Sequence, residues 1–240
     1  MRIKISFKNM NGFLLSYDYQ YSLASMIYHK LSEISPKTAI EQHSTFNLKF
    51  YTFSGLIGHN LNTNKGGLSF SEGFLIISSP DRNLITSISE AFLDHPDFSL
   101  IGVGGRIIYS VQKVELLKPP IIKKKCTFKT LSPIYVKTVR ENNNVKKEVD
   151  LYPNEPKFYE RLHQNLLKKY EQFYSKKAVD HLDFLKVHDV RTKRIRIEDS
   201  YRRCSLMTFT VEGSEELLRF AYDAGLGEKT AMGFGCVDVV

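Results

Sequence analysis

Two runs of alternating and periodic apolar positions divide the chain into similar sets of predicted elements. In the first run, residues 2–8 alternate between apolar and polar, which is typical of a strand, while Leu23, Ile27 and Leu31 recur at helical spacing behind Ser22, a candidate N-cap. The predicted elements of this part are a strand over 2–8, a helix over about 22–34, strands over 46–53 and 73–79, a helix that Asp81 caps and that ends before Pro96, and a strand over 106–117. Their order is βαββαβ.

The second run repeats this order after the break Lys118-Pro119-Pro120, because two prolines lack backbone donors and exclude helix. Its predicted elements are a strand region over 126–137 that Pro133 interrupts, a helix over 157–174, strands over 182–197 and 203–211, a helix over 214–222 and a strand over 236–240. Two βαββαβ units predict an α+β fold of tandem ferredoxin-like domains, over residues 1–117 and 118–240. Each sheet would keep one open face, and the two faces side by side would form a platform or cleft.

The composition is that of an ordinary globular protein, with 42% hydrophobic and 25% charged residues. No apolar run approaches the roughly 18–20 residues that span a bilayer, and the alternating first residues are unlike a signal sequence, so we expect a cytoplasmic protein without a membrane partner. Three widely spaced cysteines argue against a disulfide framework, and no Cys-x-x-Cys, HEXXH or Gly-x-Ser-x-Gly motif is present. We therefore expect neither a metal site nor a cofactor.

Positive charge is concentrated in the second half of the chain. The formal net charge is +8, and residues 1–110 carry 9 Lys/Arg against 8 Asp/Glu, whereas residues 111–240 carry 25 against 18. This asymmetry indicates a polyanionic partner, nucleic acid first, while a basic surface without a partner is the plainer alternative. The candidate contacts are Lys123, Lys125, Lys129, Lys137, Arg140, Arg191, Lys193, Arg194 and Arg196. Lys125 and Lys129 flank Phe128, and basic residues near aromatic ones suit RNA, whose bases stack and whose phosphates need counter-charge.

A glycine-rich loop follows the last predicted helix. Gly225, Gly227, Gly233 and Gly235 lie within eleven residues, with Lys229 among them. A dinucleotide fingerprint would follow a strand and open a helix, which this loop does not, and the Gly-Lys-Ser/Thr of a P-loop is missing. One glycine would suffice for a helix C-cap, so we interpret the set as a loop whose N–H groups and Lys229 contact a phosphate backbone.

One histidine lies in a connection where an acid–base site is feasible. His43 stands between the first helix, which carries Tyr28 and His29, and the strand that carries Lys49. Histidine titrates near neutral pH, and a lysine stabilises negative charge that develops on a phosphorane. Spacing alone does not distinguish this set from an incidental histidine.

Four blocks of residues in order resemble a known family over essentially the whole chain. They are Tyr19-Gln-Tyr21 with Ile27-Tyr28, Phe50-Tyr-Thr-Phe-Ser54 after His43, residues 130–140 (TLSPIYVKTVR) and the glycine-rich residues 225–235 (GLGEKTAMGFG). The chain resembles the CRISPR-associated repeat-processing endoribonucleases of the repeat-associated mysterious protein (RAMP) superfamily, and the last block is similar to the glycine-rich signature of that superfamily.

The resemblance implies an activity and roles for single residues. Such enzymes cut the repeats of precursor crRNA without a metal, since the 2′-OH beside the cut attacks the adjacent phosphate and leaves a 2′,3′-cyclic phosphate and a 5′-OH. By the same resemblance His43 is the principal general acid/base, Lys49 stabilises the transition state, and Tyr28 hydrogen-bonds or orients. The family varies in where its histidine sits, so His29 remains the alternative to His43.

Other functions stay open at this stage. The same fold and glycine-rich loop would suit a non-catalytic RNA-binding subunit of a CRISPR interference complex, with other CRISPR-associated proteins as partners. An unrelated small-molecule enzyme on ferredoxin-like domains would leave the charge asymmetry unexplained. The sequence does not decide between a monomer and a homodimer.

Overall fold

The computed structural model of the chain describes residues 1–34, 48–142, 145–177, 181–197 and 199–240. The elements of the N-terminal half are β1 (Arg2–Asn9), α1 (Gln20–Ile34), β2 (Thr52–Phe53), β3 (Ile57–Gly58), β4 (Asn62–Asn64), β5 (Gly67–Ser69), β6 (Glu72–Ser78), α2 (Arg82–Asp94), β7 (Asp97–Ile101) and β8 (Arg106–Leu116). The elements of the C-terminal half are β9 (Lys125–Thr130), β10 (Lys137–Asn142), β11 (Val145–Asp150), α3 (Pro156–Tyr174), β12 (Leu182–Ile197), β13 (Ser200–Gly213), α4 (Glu215–Ala224), a 3₁₀ turn (Thr230–Met232) and β14 (Val237–Val239).

Each half builds an antiparallel sheet with the same strand order. The N-terminal sheet runs β2-β6-β1-β8, with β7 added beside β8 and β3 also paired to β6. The C-terminal sheet runs β12-β13-β9-β14. In both, the first strand lies between the third and the fourth, and two helices complete the unit. The predicted α+β fold of tandem ferredoxin-like domains is confirmed.

Two apolar cores lie between the sheets and their helices. On β1, Ile3, Ile5 and Phe7 are all buried and pack against residues of α1 and α2. In the C-terminal half, Phe128 and Phe209 are fully buried against α3 and α4. The alternation of apolar residues along each strand, combined with the helical period, therefore places one face of each sheet under helices.

Predicted helix caps are confirmed at two of three positions. The Asp81 side chain accepts hydrogen bonds from the N–H groups of Asn83 and Leu84, and the Ser214 hydroxyl accepts one from Leu217. The third prediction was wrong, because α1 begins at Gln20 and the Ser22 hydroxyl instead accepts the N–H of Ile101.

Two strand predictions differ from the structure. Within the predicted strand 46–53, the described residues form a strand only over Thr52–Phe53, and residues 46 and 47 lie outside the described part. The strand region 126–137 ends at Thr130, and an unpredicted hairpin of β10 and β11 follows it. In the second region the buried Ile134 pairs with Ser205 of β13 in an isolated bridge, so the chain stays beside the sheet without continuing β9.

Side chains of the N-terminal half hold the C-terminal half by donating to its backbone carbonyls. Arg2 is 3% exposed, donates to the carbonyls of Tyr222 and Val237 at 2.8 Å, and stacks its guanidinium 3.5 Å above the Tyr222 ring. Tyr222 is in the last turn of α4, where carbonyls lack helical partners and the helix dipole favours a cation. Thr52 and Gln20 donate in the same way to the glycine-rich loop. The two sheets therefore meet along this loop.

No helix in the described part of the chain is both long enough and apolar enough to cross a membrane.

Candidate functional site

The proposed catalytic residues Tyr28 and Lys49 lie in the same region of the N-terminal half. Tyr28 is half-buried on α1 and packs against the N-terminal core. It is close enough to Tyr51 to raise the pKa of that buried side chain, although burial of Tyr51 is the larger cause. Lys49 is two residues before Tyr51. The segment that carries Lys49 therefore passes near Tyr28.

Lys49 is partly buried and precedes a firmly anchored residue. The Phe50 ring packs 5.2 Å from that of Phe173 on α3, and its carbonyl accepts a hydrogen bond from the Ser79 hydroxyl at 2.7 Å. Partial burial lowers the pKa of Lys49, because the low dielectric disfavours its charged form. A phosphate beside Lys49 would raise its pKa again and favour the charged ammonium.

The principal histidine of the prediction, His43, lies outside the described residues. Its alternative, His29, is described and faces a different direction from Tyr28. The His29 side chain is 73% exposed, and its Nδ1 lies 3.3 Å from Glu33 Oε1. Together with Asp97 it lines a cavity of about 620 Å³ between α1, β7 and β8. Consecutive helical residues point about 100° apart, which explains why the two side chains separate.

The four glycines of the loop are buried, and two of them, Gly225 and Gly233, lie where the two halves meet. A Cβ at Gly233 would lie 2.0 Å from Gln20 Nε2, and one at Gly225 would lie 2.8 Å from the Thr52 side chain. The N–H of Gly235 donates to Pro133, as that of Gly225 does to Ala221 and that of Gly233 to Thr230. These groups are therefore engaged within the protein. The contact of the loop with a phosphate backbone stays a prediction, and the Lys229 side chain is exposed and able to make it.

Lys229 belongs to a cluster of charges around Glu148. The pKa of the Glu148 carboxyl is lowered first by its hydrogen bond with Lys137 and then by the positive charges of Arg202 and Lys229. Arg140 forms a similar surface pair with Glu155 at 2.9 Å. Exposed pairs of this kind contribute little to stability, and contacts of Lys137 and Arg140 with RNA stay predictions.

The β12–β13 hairpin carries the second set of predicted contacts. Arg191, Lys193, Arg194 and Arg196 are all exposed on β12. Ile195 and Ile197 are buried against Tyr135 and Phe234, so Arg194 and Arg196 lie on the opposite face of the strand. Arg191 lies 3.4 Å from Asp189 and Arg196 lies 3.8 Å from Asp199.

Sequence reasoning missed two basic residues of β13 on this hairpin. Arg203 pairs across the ladder with Arg194 and stacks 4.7 Å above the ring of Tyr152. Arg202 pairs with Ile195 and lies 3.9 Å from Glu148. The strand was predicted to begin at 203, which left out Arg202, and the register that places Arg203 opposite Arg194 could not be read from the pattern.

The basic residues around the start of β9 are also exposed, but Phe128 is not available for stacking. Lys123, Lys125 and Lys129 are exposed, whereas Phe128 is fully buried in the core. Residues of a strand alternate between faces, so Lys125 and Lys129 lie on the face of the sheet away from the helices. The suggested pairing of these lysines with Phe128 at an RNA surface was therefore wrong.

One buried lysine was also missed. Lys169 on α3 is 3% exposed, and its Nζ donates to the carbonyl of Gly227 at 2.9 Å and to the Thr230 hydroxyl at 3.3 Å. Leu162, Leu166 and Lys169 share one helical face, so the period that predicts the helix would also have shown this lysine pointing inward. Among the described residues, no group of three or more His, Cys, Asp or Glu side chains is placed to hold a metal ion.

Comparison with known proteins gives matches over the whole chain. The family model described as CRISPR-associated protein Cas6, N-terminal, matches residues 14–114, and the model described as CRISPR associated protein Cas6, C-terminal, matches residues 117–239. The CRISPR-associated endoribonuclease Cas6 1 of Methanocaldococcus jannaschii is 40% identical over 240 residues, which is 99% of this chain and 92% of that protein.

Two solved structures superpose on the full length of the chain. One is described as CRISPR associated protein Cas6, with a TM-score of 0.87 and 39% identity, and the match covers 100% of this chain and 99% of the other. The second is described as a RAMP protein binding different RNA substrates, with a TM-score of 0.90, 31% identity and the same coverage.

Proposed function

We propose that this chain, which belongs to the Cas6 family of CRISPR-associated proteins, is an endoribonuclease that cuts the repeats of CRISPR precursor transcripts into guide RNAs. The observation that carries the proposal is the full-length relationship to a named CRISPR-associated endoribonuclease. The exposed basic residues of the β12–β13 hairpin and of the β9 region support RNA as the substrate, because a polyanion needs counter-charge along its path.

The proposed reaction is transesterification without a metal ion. The 2′-oxygen of the nucleotide before the cut loses its proton and attacks the adjacent phosphorus. The bond from phosphorus to the 5′-oxygen breaks, and that oxygen takes up a proton. The products are a 2′,3′-cyclic phosphate and a 5′-OH, so the step needs a proton acceptor, a proton donor and a cation for the five-coordinate phosphorus.

We assign these roles to the residues of the sequence-based prediction. His43, which lies outside the described residues, is the general acid/base by its resemblance to the family. Lys49 is the cation, since its lowered pKa reflects an ammonium that lacks full solvation and is restored by a nearby anion. Tyr28 hydrogen-bonds the reacting groups, because a free tyrosine titrates near pH 10 and is a poor base at neutral pH.

Cleavage of a repeat RNA in the presence of EDTA tests the proposal. We expect discrete products whose upstream fragment is lighter than a linear phosphate by the mass of one water, as mass spectrometry would show. A substrate with a 2′-deoxy nucleotide before the cut serves as the matched control, and we expect it to bind but stay whole. Cleavage of the deoxy substrate at the normal rate would exclude the cyclisation mechanism.

A non-catalytic RNA-binding subunit is the second candidate function. The observation that favours it is the full-length similarity to a RAMP protein described by its binding of RNA rather than by cleavage. Tight, salt-sensitive binding of repeat RNA without discrete products would support this function over the first.

A further inference from the structure

A single buried ammonium holds both ends of a short segment of the glycine-rich loop. Lys169 reaches from α3 under the loop, where its Nζ contacts the carbonyl oxygen of Gly227 and the hydroxyl of Thr230. These two residues flank Glu228 and Lys229. All three of Lys169, Gly227 and Thr230 are buried, whereas the Lys229 side chain is exposed.

An ammonium at this position carries a desolvation cost that an apolar side chain would avoid. Burial lowers the pKa of Lys169 to about 7, and the charge of Glu228 only partly opposes the shift. Leu162, Leu166 and Tyr170 lie on the same helical face, so a methionine would suit the packing. The contacts with Gly227 and Thr230 are what a methionine could not provide.

The segment also needs to be held in shape. Lys229 has φ of +54°, a left-handed conformation that is strained for an L-residue. Glu228 is fixed beside it, because its N–H donates to the Tyr135 carbonyl at 2.8 Å and its Oε1 accepts the N–H of Lys137 at 3.3 Å. Lys169 holds the Thr230 side chain on the other side, so the residues on both sides of Lys229 are fixed and its own side chain is exposed.

We infer that Lys169 is a positioning residue that holds the Gly227 carbonyl and the Thr230 hydroxyl and so presents the Lys229 ammonium to a phosphate of bound RNA. The inference rests on the proposed function, since it assumes that RNA passes Lys229. Lys169 itself does not touch the RNA.

The first test compares the affinity of Lys169→Met and wild-type protein for repeat RNA over a range of salt concentrations. We expect Lys169→Met to bind several-fold more weakly and to lose about 0.7–0.9 from the slope of log K against log salt, which corresponds to one phosphate contact. Lys168→Met is the matched control, because it removes the same charge from an exposed position of the same helix. We expect it to keep the wild-type slope.

The second test is a double-mutant cycle with Lys229→Ala. If Lys169 acts through Lys229, Lys169→Met changes neither affinity nor slope further once Lys229 is alanine. An equal loss in both backgrounds would mean general destabilisation and would overturn the inference, as would a folded Lys169→Met variant with the wild-type slope.

A gentler variant covers the case in which Lys169→Met fails to fold. Thr230→Val removes one of the two contacts and keeps the side-chain shape, and it should show the same coupling to Lys229→Ala; independence from Lys229 would overturn the inference. Failure of the proposed function is separate, because wild-type protein would then show no salt-dependent preference for repeat RNA.

Discussion

The side-chain amide of Gln20 donates a hydrogen bond of 2.6 Å to the carbonyl oxygen of Gly233. The two residues are 213 positions apart in sequence, and the contact joins the start of α1 to the glycine-rich loop. Gly233 has φ of +79° and leaves no room for a side chain beneath Gln20 and Phe53. This glycine therefore determines how closely the two halves approach.

Gly233→Ala should destabilise the protein more than an alanine at a similar but open glycine. A Cβ at Gly233 would lie 2.0 Å from Gln20 Nε2 and 2.3 Å from Phe53 Cε2, whereas Gly104, with φ of +81°, has nothing within 4 Å. Gly104→Ala should cost about 1 kcal/mol of unfolding free energy from backbone strain alone, and Gly233→Ala a further 1–3 kcal/mol or so from overpacking. Urea unfolding of the two variants measures the difference. Equal costs would contradict the packing role.

The buried Lys169 should make stability depend on pH. Its pKa is lowered from 10.5 to about 7 in the folded chain, so between these values the unfolded chain binds more protons than the folded chain. The free energy of unfolding should therefore rise with pH from about 7 upward, with a slope of at most about 1.4 kcal/mol per pH unit from this group. Urea unfolding at several pH values, with Lys169→Met as the reference, isolates the contribution. Parallel pH profiles for the two proteins would rule it out.

Variants of Lys49 and Tyr28 should separate cleavage from binding. Lys49→Met keeps the length of the side chain without its charge, and we expect single-turnover cleavage of repeat RNA to fall by about 10²–10³-fold. Tyr28→Phe keeps the ring in its packing position and removes only the hydroxyl, so roughly a tenfold loss is expected from one hydrogen bond. RNA affinity should change little in either variant. A loss of binding that accounts for the whole loss of rate would argue against catalytic roles.

The two histidines should respond differently to substitution. His43→Ala should lower cleavage by about 10²–10⁴-fold, the usual contribution of a general acid or base. His29→Ala should remain near wild type, because its ring is largely exposed, pairs with Glu33 and lines a cavity on another face of α1. Rates of cleavage in EDTA decide the matter. The reverse pattern would transfer the assignment to His29.

Charges on the β12–β13 hairpin should set part of the salt dependence of RNA binding. Arg194 and Arg203 are cross-strand partners and both are exposed. Their joint replacement by alanine should lower the slope of log K against log salt by up to about 1.4–1.8, two phosphate contacts at most. Lys113→Ala on β8 is the control for an exposed lysine of the other sheet. An equal effect of the control would indicate that net charge alone matters.

Local patterns in the chain were sufficient for the βαββαβ order in each half and for two of the three helix caps, but not for the additional short strands or the hairpin of β10 and β11. The apolar period over α3, the Asp81 cap and the Ser214 cap depend on residues within a few positions of one another, and the structure agrees with them. The strand order of each sheet followed from that element order, because βαββαβ units have one common arrangement. Tyr28 lies near Tyr51, two residues after Lys49, and the joint role of Tyr28 and Lys49 stays a prediction.

Contacts between distant segments were beyond reach of those patterns. The excess of glycines was visible, but the reason for Gly225 and Gly233 lies in Gln20, Phe53 and Thr52, which approach the loop only after both halves have folded. Alternation predicted that the charged residues of β12 divide between its two faces. Only the burial of Ile195 against Tyr135 showed which face is buried and that Arg194 lies on the other one. Periodicity records what a residue does relative to its neighbours in the chain, whereas close approach between sheets depends on the shape of both surfaces, and that information exists only in the folded protein.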